Sequence, residues 1–281
     1  MYTLYTSLVV ALLVTVLPLP FVSIVWTLLP GLIAGVAAFV WISRRVSKRI
    51  EAVVQASDAE LAPVQRAAAT GAQVAPAQLL EAFTRAVAVL QRGFFFEKWQ
   101  IGAGTMLNGR AGMLLFTRWT MAQMMPGGTP PGALAECIPY LERARPTGRH
   151  AQLLSAMWPA WAMLAVCYAK GKRDLDRAVA VLEDAVKYAK KQGLLWGVYA
   201  YILATNEREA AAIDVLARGK EAAPDDKVLA ENLTLLQNQK KMNMKDYGEQ
   251  WFQFGLERPK TPMMQQPQMG HPRARGGMRR R

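Results

Sequence analysis

The chain has 281 residues, 52% of them hydrophobic and 20% charged, enough for one or two domains with a sizeable core. Its net charge of +13 divides unevenly: residues 44–49 carry +4, residues 50–257 carry +2, and residues 258–281 carry +7. A nearly neutral body argues against a basic globular nucleic-acid binder, and a content of 2 cysteines excludes a disulfide scaffold.

Residues 1–43 contain no Asp, Glu, Lys or Arg. The apolar run from Tyr2 to Ile42 would extend about 60 Å as one helix, roughly twice the hydrocarbon thickness of a bilayer. Pro18-Leu19-Pro20 interrupts it and removes backbone donors. The pattern predicts a membrane anchor over 1–43, an N-terminal transmembrane helical hairpin with spans at about 2–17 and 21–42. A single span, with the first stretch lying in the interface, is the alternative. A cleaved signal peptide is disfavoured, because the start lacks a basic region and the apolar run is too long. Tyr2, Tyr5 and Trp41 suit interfacial positions. Gly31 and Gly35 give a small-residue spacing that lets the two spans, or two copies of the chain, approach closely. Arg44, Arg45, Lys48 and Arg49 follow the second span, which places the remainder in the cytoplasm by the positive-inside rule, with the N-terminus on the same side.

Residues 44–104 read as juxtamembrane and connecting helices. Val46, Ile50, Val53 and Val54 continue a helix expected to end before Pro63, and Gly71 and Pro76 punctuate the next connection. Leu79, Leu80, Phe83, Val87 and Leu90 mark an amphipathic helix stopped at Gly93. Residues 94–125 are strongly apolar, but Glu97, Lys98, Arg110 and Arg118 interrupt them. A helix buried between neighbours is expected there, not a third span.

Chemistry-bearing residues are sparse. Cys137 and Cys167 fall in apolar helical patterns and read as buried small hydrophobes, and His150 and His271 are the only imidazoles. No Cys/His cluster has zinc-ligand spacing. Gly102-x-Gly104 lacks a preceding strand and the third glycine of a dinucleotide fingerprint, and Gly171-Lys172 is followed by Arg173 where a phosphate loop needs Ser or Thr. The expectation is no enzyme activity, no cofactor and no metal.

From about residue 105 the chain repeats itself. Trp161-x-x-Leu164-Ala165-x-x-Tyr168 opens one helix, and Ala178, Leu182 and Ala185 line a second. Thirty-five residues after Trp161 comes Trp196-x-x-Tyr199-Ala200-x-x-Leu203, followed by Ala212, Leu216, Gly219 and Pro224. This pattern resembles the tetratricopeptide repeat (TPR), a helix–turn–helix unit of about 34 residues. The copy from Trp196 keeps the family spacing, with Gly219 where Ala is usual. The copy from Trp161 needs one inserted residue in its turn and lacks the closing proline. A weaker upstream copy places Gly112 and Leu115 on a first helix and Cys137, Leu141 and Ala144 on a second, with a long loop at 124–132 between them. Downstream, Leu229, Leu233 and Leu236 give a last helix that runs into Tyr247, Trp251, Phe252 and Phe254, an aromatic cluster expected to cap or dock on the stack.

The resemblance implies an all-α fold in which 105–257 forms an α-solenoid, because one such unit cannot bury its apolar face alone. It also implies a concave groove, lined by the first helix of each unit, that holds protein partners. Carried over from the two Trp-marked copies, the groove positions are Ala162, Val166, Ala169, Gly197, Tyr201 and Ala204, with Asn232 from the last unit. Small apolar residues where some members have Lys and Asn argue against a carboxylate clamp and suit an apolar segment. The alternative occupant is this chain itself, through a segment such as 77–125.

Residues 258–281 are dominated by Pro, Gln, Met, Gly and Arg and read as a disordered basic tail. Arg273, Arg275, Arg279, Arg280 and Arg281, like Arg44, Arg45, Lys48 and Arg49, suit contact with anionic lipid; a nucleic-acid partner is disfavoured. The sequence reads as a membrane-anchored scaffold or adaptor that binds a protein partner. The alternatives are a structural or assembly subunit of a membrane complex, and nucleic-acid or anionic-lipid association through the Arg-rich tail.

Overall fold

Apolar residues recurring at every third and fourth position dictate helices, and every element among the described residues is helical. The structure is a computed structural model that describes residues 2–17, 24–70, 74–100, 102–123, 131–145 and 155–258. The Pro18-Leu19-Pro20 turn, Gly71, the 124–130 loop, His150, His271 and the five tail arginines lie outside the described residues.

Helix α1 (Tyr2–Val16) and helix α2 (Ile24–Ala69) open the chain. At 15 residues α1 spans about 22 Å. Among the described residues only α2 contains a stretch, Leu28–Ala67, long and apolar enough to cross a membrane. The two helices pack against each other, and Gly31 and Gly35 make the approach close. A β-carbon at Gly35 would lie 2.7 Å from Ala11 Cβ, and one at Gly31 would meet Thr15 and Ala11. The outer face of α2 stays bare, with Leu29, Leu32, Ile33, Val36 and Trp41 all exposed.

The expected helix end before Pro63 does not occur. α2 runs on to Ala69 with both Pro30 and Pro63 inside it. Proline removes one amide donor, and here tertiary packing outweighs that loss. Leu61 is buried, Val64 packs beside Leu79, Ala82 and Phe83, and Ser57 donates to Ala86 O at 3.0 Å. Those partners belong to α3 (Pro76–Arg92), whose register is the amphipathic one expected.

The apolar stretch after Gly93 is not a single helix. A 3₁₀ turn (Gly93–Lys98) comes first, and α4 (Ala103–Gln123) begins only after Gly102, which sits at φ 83°. The positive φ is one that glycine adopts without steric cost. α4 is buried along much of its length, and Gly112 meets Leu141, which a β-carbon would approach to 2.6 Å.

A 3₁₀ segment (Pro131–Glu136) and the short α5 (Ile138–Arg143) lead to the Trp-marked helices. These are α6 (Trp158–Val166), α7 (Leu175–Tyr188), α8 (Gly193–Thr205), α9 (Glu209–Ala222) and α10 (Lys227–Gln237). α6 continues into a π-helical turn, Cys167–Lys172. A π-turn absorbs one extra residue into a helix. Asp174 caps α7 by accepting from Arg177 N, and Asp226 caps α10 by accepting from Leu229 N.

Trp161 and Trp196 occupy matching places, each one turn into its helix. Their indole N–H groups donate to carbonyls at or just past the end of the preceding helix, Ala144 O at 3.1 Å and Lys190 O at 2.8 Å. One continuous core joins α4 to α10 and takes in Trp251 and Phe254 from the segment beyond α10.

Candidate functional site

After α10 the chain turns back across α8 and then α6. The segment from Met242 to Arg258 includes a 3₁₀ turn (Lys245–Tyr247) and the four-residue α11 (Glu249–Phe252). It has no helical period of its own, so single side chains anchor it in turn.

Asn232 is buried, and its amide recognises the backbone of Asn243 in both directions. Its Nδ2 donates to Asn243 O at 2.9 Å, and its Oδ1 accepts from Asn243 N at 2.6 Å. Pairing of this kind ignores the side chain of the bound residue and selects for an extended backbone. Next along, Met244 is fully buried over Gly197, where a β-carbon would lie 2.5 Å from the Met244 methyl. Tyr247 donates to Asp226 Oδ2 at 2.9 Å, and burial followed by that carboxylate pushes its phenol pKa upward. One carboxylate thus caps α10 and holds the segment.

Trp251 is fully buried, edge-on to Tyr201 with ring centroids 4.9 Å apart. Its indole N–H donates to Glu257 Oε2 at 2.9 Å, and Tyr201 OH donates to Glu257 Oε1 at 3.1 Å. Burial, and then the Glu257 carboxylate, pushes the Tyr201 phenol up to about 12. Phe254 is fully buried, its ring 6.0 Å from that of Trp158. Lys170 Nζ donates to Gly255 O at 2.7 Å and Leu256 O at 3.3 Å, and its pKa is lowered by burial and by nearby Arg258. Gly255, at φ 59°, is pressed so close to α4 that a β-carbon would lie 2.8 Å from Thr120 Cγ2 and 2.9 Å from the Trp119 ring.

Of the predicted groove residues, Gly197, Tyr201 and Asn232 meet this segment directly. Ala162 and Val166 are fully buried, and Ala204 packs half-buried against the same core. Ala169 lines a cavity of about 520 Å³ where the segment ends, with Lys170, Arg173, Asn206, Glu257 and Arg258 around it. Residues 242–258 thus cover Gly197, Tyr201 and Asn232, while α4, within the segment 77–125, packs on α6 and brings Trp119, Thr120 and Gln123 to the cavity beside Ala169. The segment meets α4 at Gly255, against Thr120 and Trp119, and at Arg258, which donates to Gln123 at 3.4 Å.

Sequence reasoning missed Trp158, Lys170, Asp226 and Glu257. The available signal was the aromatic run Tyr247, Trp251, Phe252 and Phe254 directly after a helical repeat, since a helix past its last apolar turn needs no such cluster.

Arg44, Arg45, Lys48 and Arg49 are exposed at the end of the apolar face of α2, and none forms an ion pair among the described residues. Arg45 stacks on Trp41 at 5.1 Å. Cys137 and Cys167 are both free and buried, and desolvation raises the Cys167 thiol well above its usual range, which disfavours the nucleophilic thiolate. Among the described residues no group of three or more His, Cys, Asp or Glu is arranged to hold a metal. Compared with known proteins, the chain matches no family model, no curated protein and no solved structure.

Proposed function

We propose that this chain is a membrane-anchored adaptor whose tetratricopeptide-like solenoid holds a peptide segment of a protein partner on its concave face. In this reading α1 and the first half of α2 form a hairpin in the bilayer, and the helices from α4 onward face the cytoplasm. The matching indole contacts of Trp161 and Trp196 favour the repeat reading, and the cations at 44–49 favour the orientation.

The observation that carries the proposal is the chemistry of the occupied groove. Asn232 reads backbone, and Tyr201 and Trp158 offer slots for aromatic rings. None of these contacts is peculiar to residues 242–258. A partner segment with an aromatic anchor and an extended backbone satisfies them equally, and displaces the chain's own segment by mass action.

The test is a pull-down from detergent-solubilised membranes with quantitative mass spectrometry, comparing the unaltered chain with Trp251→Ala/Phe254→Ala and with Tyr201→Glu. Loosening the segment is expected to enrich one protein several-fold, and Tyr201→Glu to lose it with helicity retained. Equal recovery in all three forms contradicts the adaptor reading. A second reading, a structural subunit of a membrane complex, is favoured by the completeness with which the groove is already filled. It predicts a partner that survives both changes and is lost when residues 1–43 are removed.

A further inference from the structure

Where α2 leaves its uncharged stretch, a second site lies away from the groove. Trp41, Ile42 and Val46 on α2 face Phe95 and Phe96 of the 3₁₀ turn and Trp99 just after it, around a largely apolar cleft of about 300 Å³. Phe95 is 69% exposed and Trp41 61% exposed, although both belong to residue types that normally seek burial. The turn is held in place from both sides. Thr3 donates from its hydroxyl to Trp99 O at 2.6 Å, the Tyr2 ring stands 5.6 Å from that of Trp99, and Ser47 donates to Gln100 at 3.2 Å. The cleft is therefore a built feature, with its aromatic rim fixed at the level of Tyr2 and Trp41.

Charge is arranged at its mouth. Arg45 and Arg49 follow Trp41 at successive intervals of four, so all three fall on one face of the helix, and both arginines line the cleft. No acidic residue precedes Glu51 in the sequence, and Glu97, on the turn itself, is engaged by Asn108 Nδ2 at 2.5 Å. Below the mouth, the cleft is continuous with the exposed apolar face of α2 that ends at Trp41.

We infer that this cleft binds one anionic phospholipid, with the phosphate on Arg45 and Arg49 and the upper acyl chain against Phe95, Phe96 and Trp99. The inference rests on the membrane-anchored reading of α1 and α2. Three features select this occupant. An apolar floor continuous with a bilayer-facing helix admits hydrocarbon, an aromatic rim suits the interfacial depth, and paired guanidinium groups favour a phosphodiester with net negative charge. A zwitterionic lipid brings its own cation to the same mouth and is disfavoured.

The test is native mass spectrometry of the full chain purified in dodecyl maltoside and titrated with phosphatidylglycerol or with phosphatidylcholine of the same acyl chains. The unaltered chain is expected to retain one phosphatidylglycerol at least about fivefold better than phosphatidylcholine. Arg45→Gln/Arg49→Gln should abolish that preference, Arg45→Lys/Arg49→Lys should keep part of it, and Phe95→Ser should weaken retention of both lipids. Ten-millimolar inorganic phosphate should leave the bound lipid in place. Equal retention by the unaltered and Gln forms, or of the two lipids, overturns the inference, as does displacement by phosphate. Carbonate extraction of the same proteins separates the two claims. Extraction of the unaltered chain from the membrane overturns the anchor and the lipid site together, whereas full retention with no lipid preference overturns the lipid site alone.

Discussion

Replacing Asn232 by Ala removes both the donor and the acceptor that the backbone of Asn243 uses, while the rest of α10 keeps its apolar contacts with α9. A net loss of about 1 kcal/mol is expected, since Asn243 lies near enough to solvent for water to replace part of the pairing. Amide hydrogen exchange over residues 242–248 should accelerate, with α8 and α9 unchanged; unaltered exchange there would contradict the assigned role. Gly219 tests a different interaction. A β-carbon there would lie 2.8 Å from Trp196 Cβ and Cγ, atoms that cannot swing away. Gly219→Ala gains about 1 kcal/mol in helix propensity, against an overpacking cost of about 1–3 kcal/mol. The melting temperature should fall, and a rise would show that α8 and α9 separate freely. Glu183 sets the pH dependence. It accepts from Arg218 Nη1 and Nη2 at 2.8 and 2.9 Å and from Tyr199 OH at 2.8 Å, and these bonds, the Arg218 pair foremost, hold its carboxyl below the usual range. A depressed carboxyl contributes stability above its unfolded pKa of about 4.3 and loses it as pH falls through the folded value. Between about pH 5 and pH 3 the unaltered chain should therefore lose more stability than Glu183→Gln; parallel curves in thermal unfolding would contradict this.

Among the elements, those with a strong apolar period were legible in sequence. Ala178, Leu182 and Ala185 announce α7, which buries one face, and the offsets from Trp196 announce α8 and α9, although α8 is buried nearly all round. The end of α2 was not legible. Proline is a strong local signal, and only the distant partners Leu79, Ala82 and Phe83 on α3 override it. Pro63→Ala should restore an intrahelical hydrogen bond and raise stability by as much as about 2 kcal/mol, since Pro costs about 3 kcal/mol relative to Ala within a helix; a lowered melting temperature would indicate a bend that the packing needs. The segment 242–258 was legible only as an aromatic cluster. Its anchors answer to Tyr201 on α8 and to Trp158 and Lys170 at the two ends of α6 and its π-turn, and no local period encodes that match. Trp251→Ala should cost about 3–5 kcal/mol at a fully buried position. Limited proteolysis would then cut within 242–258 before it cuts α6 to α9; cleavage of all regions together would mean that the segment and the repeats fold as one cooperative unit.

Across the whole molecule, three features share one chain: an exposed apolar face on α2, an apolar cleft where that face ends, and a helical core across which residues 242–258 fold back. Gly197, Tyr201 and Asn232, singled out by repeat spacing, all meet residues 242–258. What fills that face depends on chain path, which spacing does not fix. The proposed adaptor role requires a partner segment to exchange with residues 242–258. A photo-crosslinking phenylalanine analogue at Tyr201, introduced into the chain in intact membranes, tests it most directly. The account predicts an intrachain link to residues 251–257 in the otherwise unaltered protein. With Trp251→Ala/Phe254→Ala, it predicts a discrete adduct to a second protein. An intrachain link that persists unchanged in that variant, with no adduct to any second protein, would contradict it.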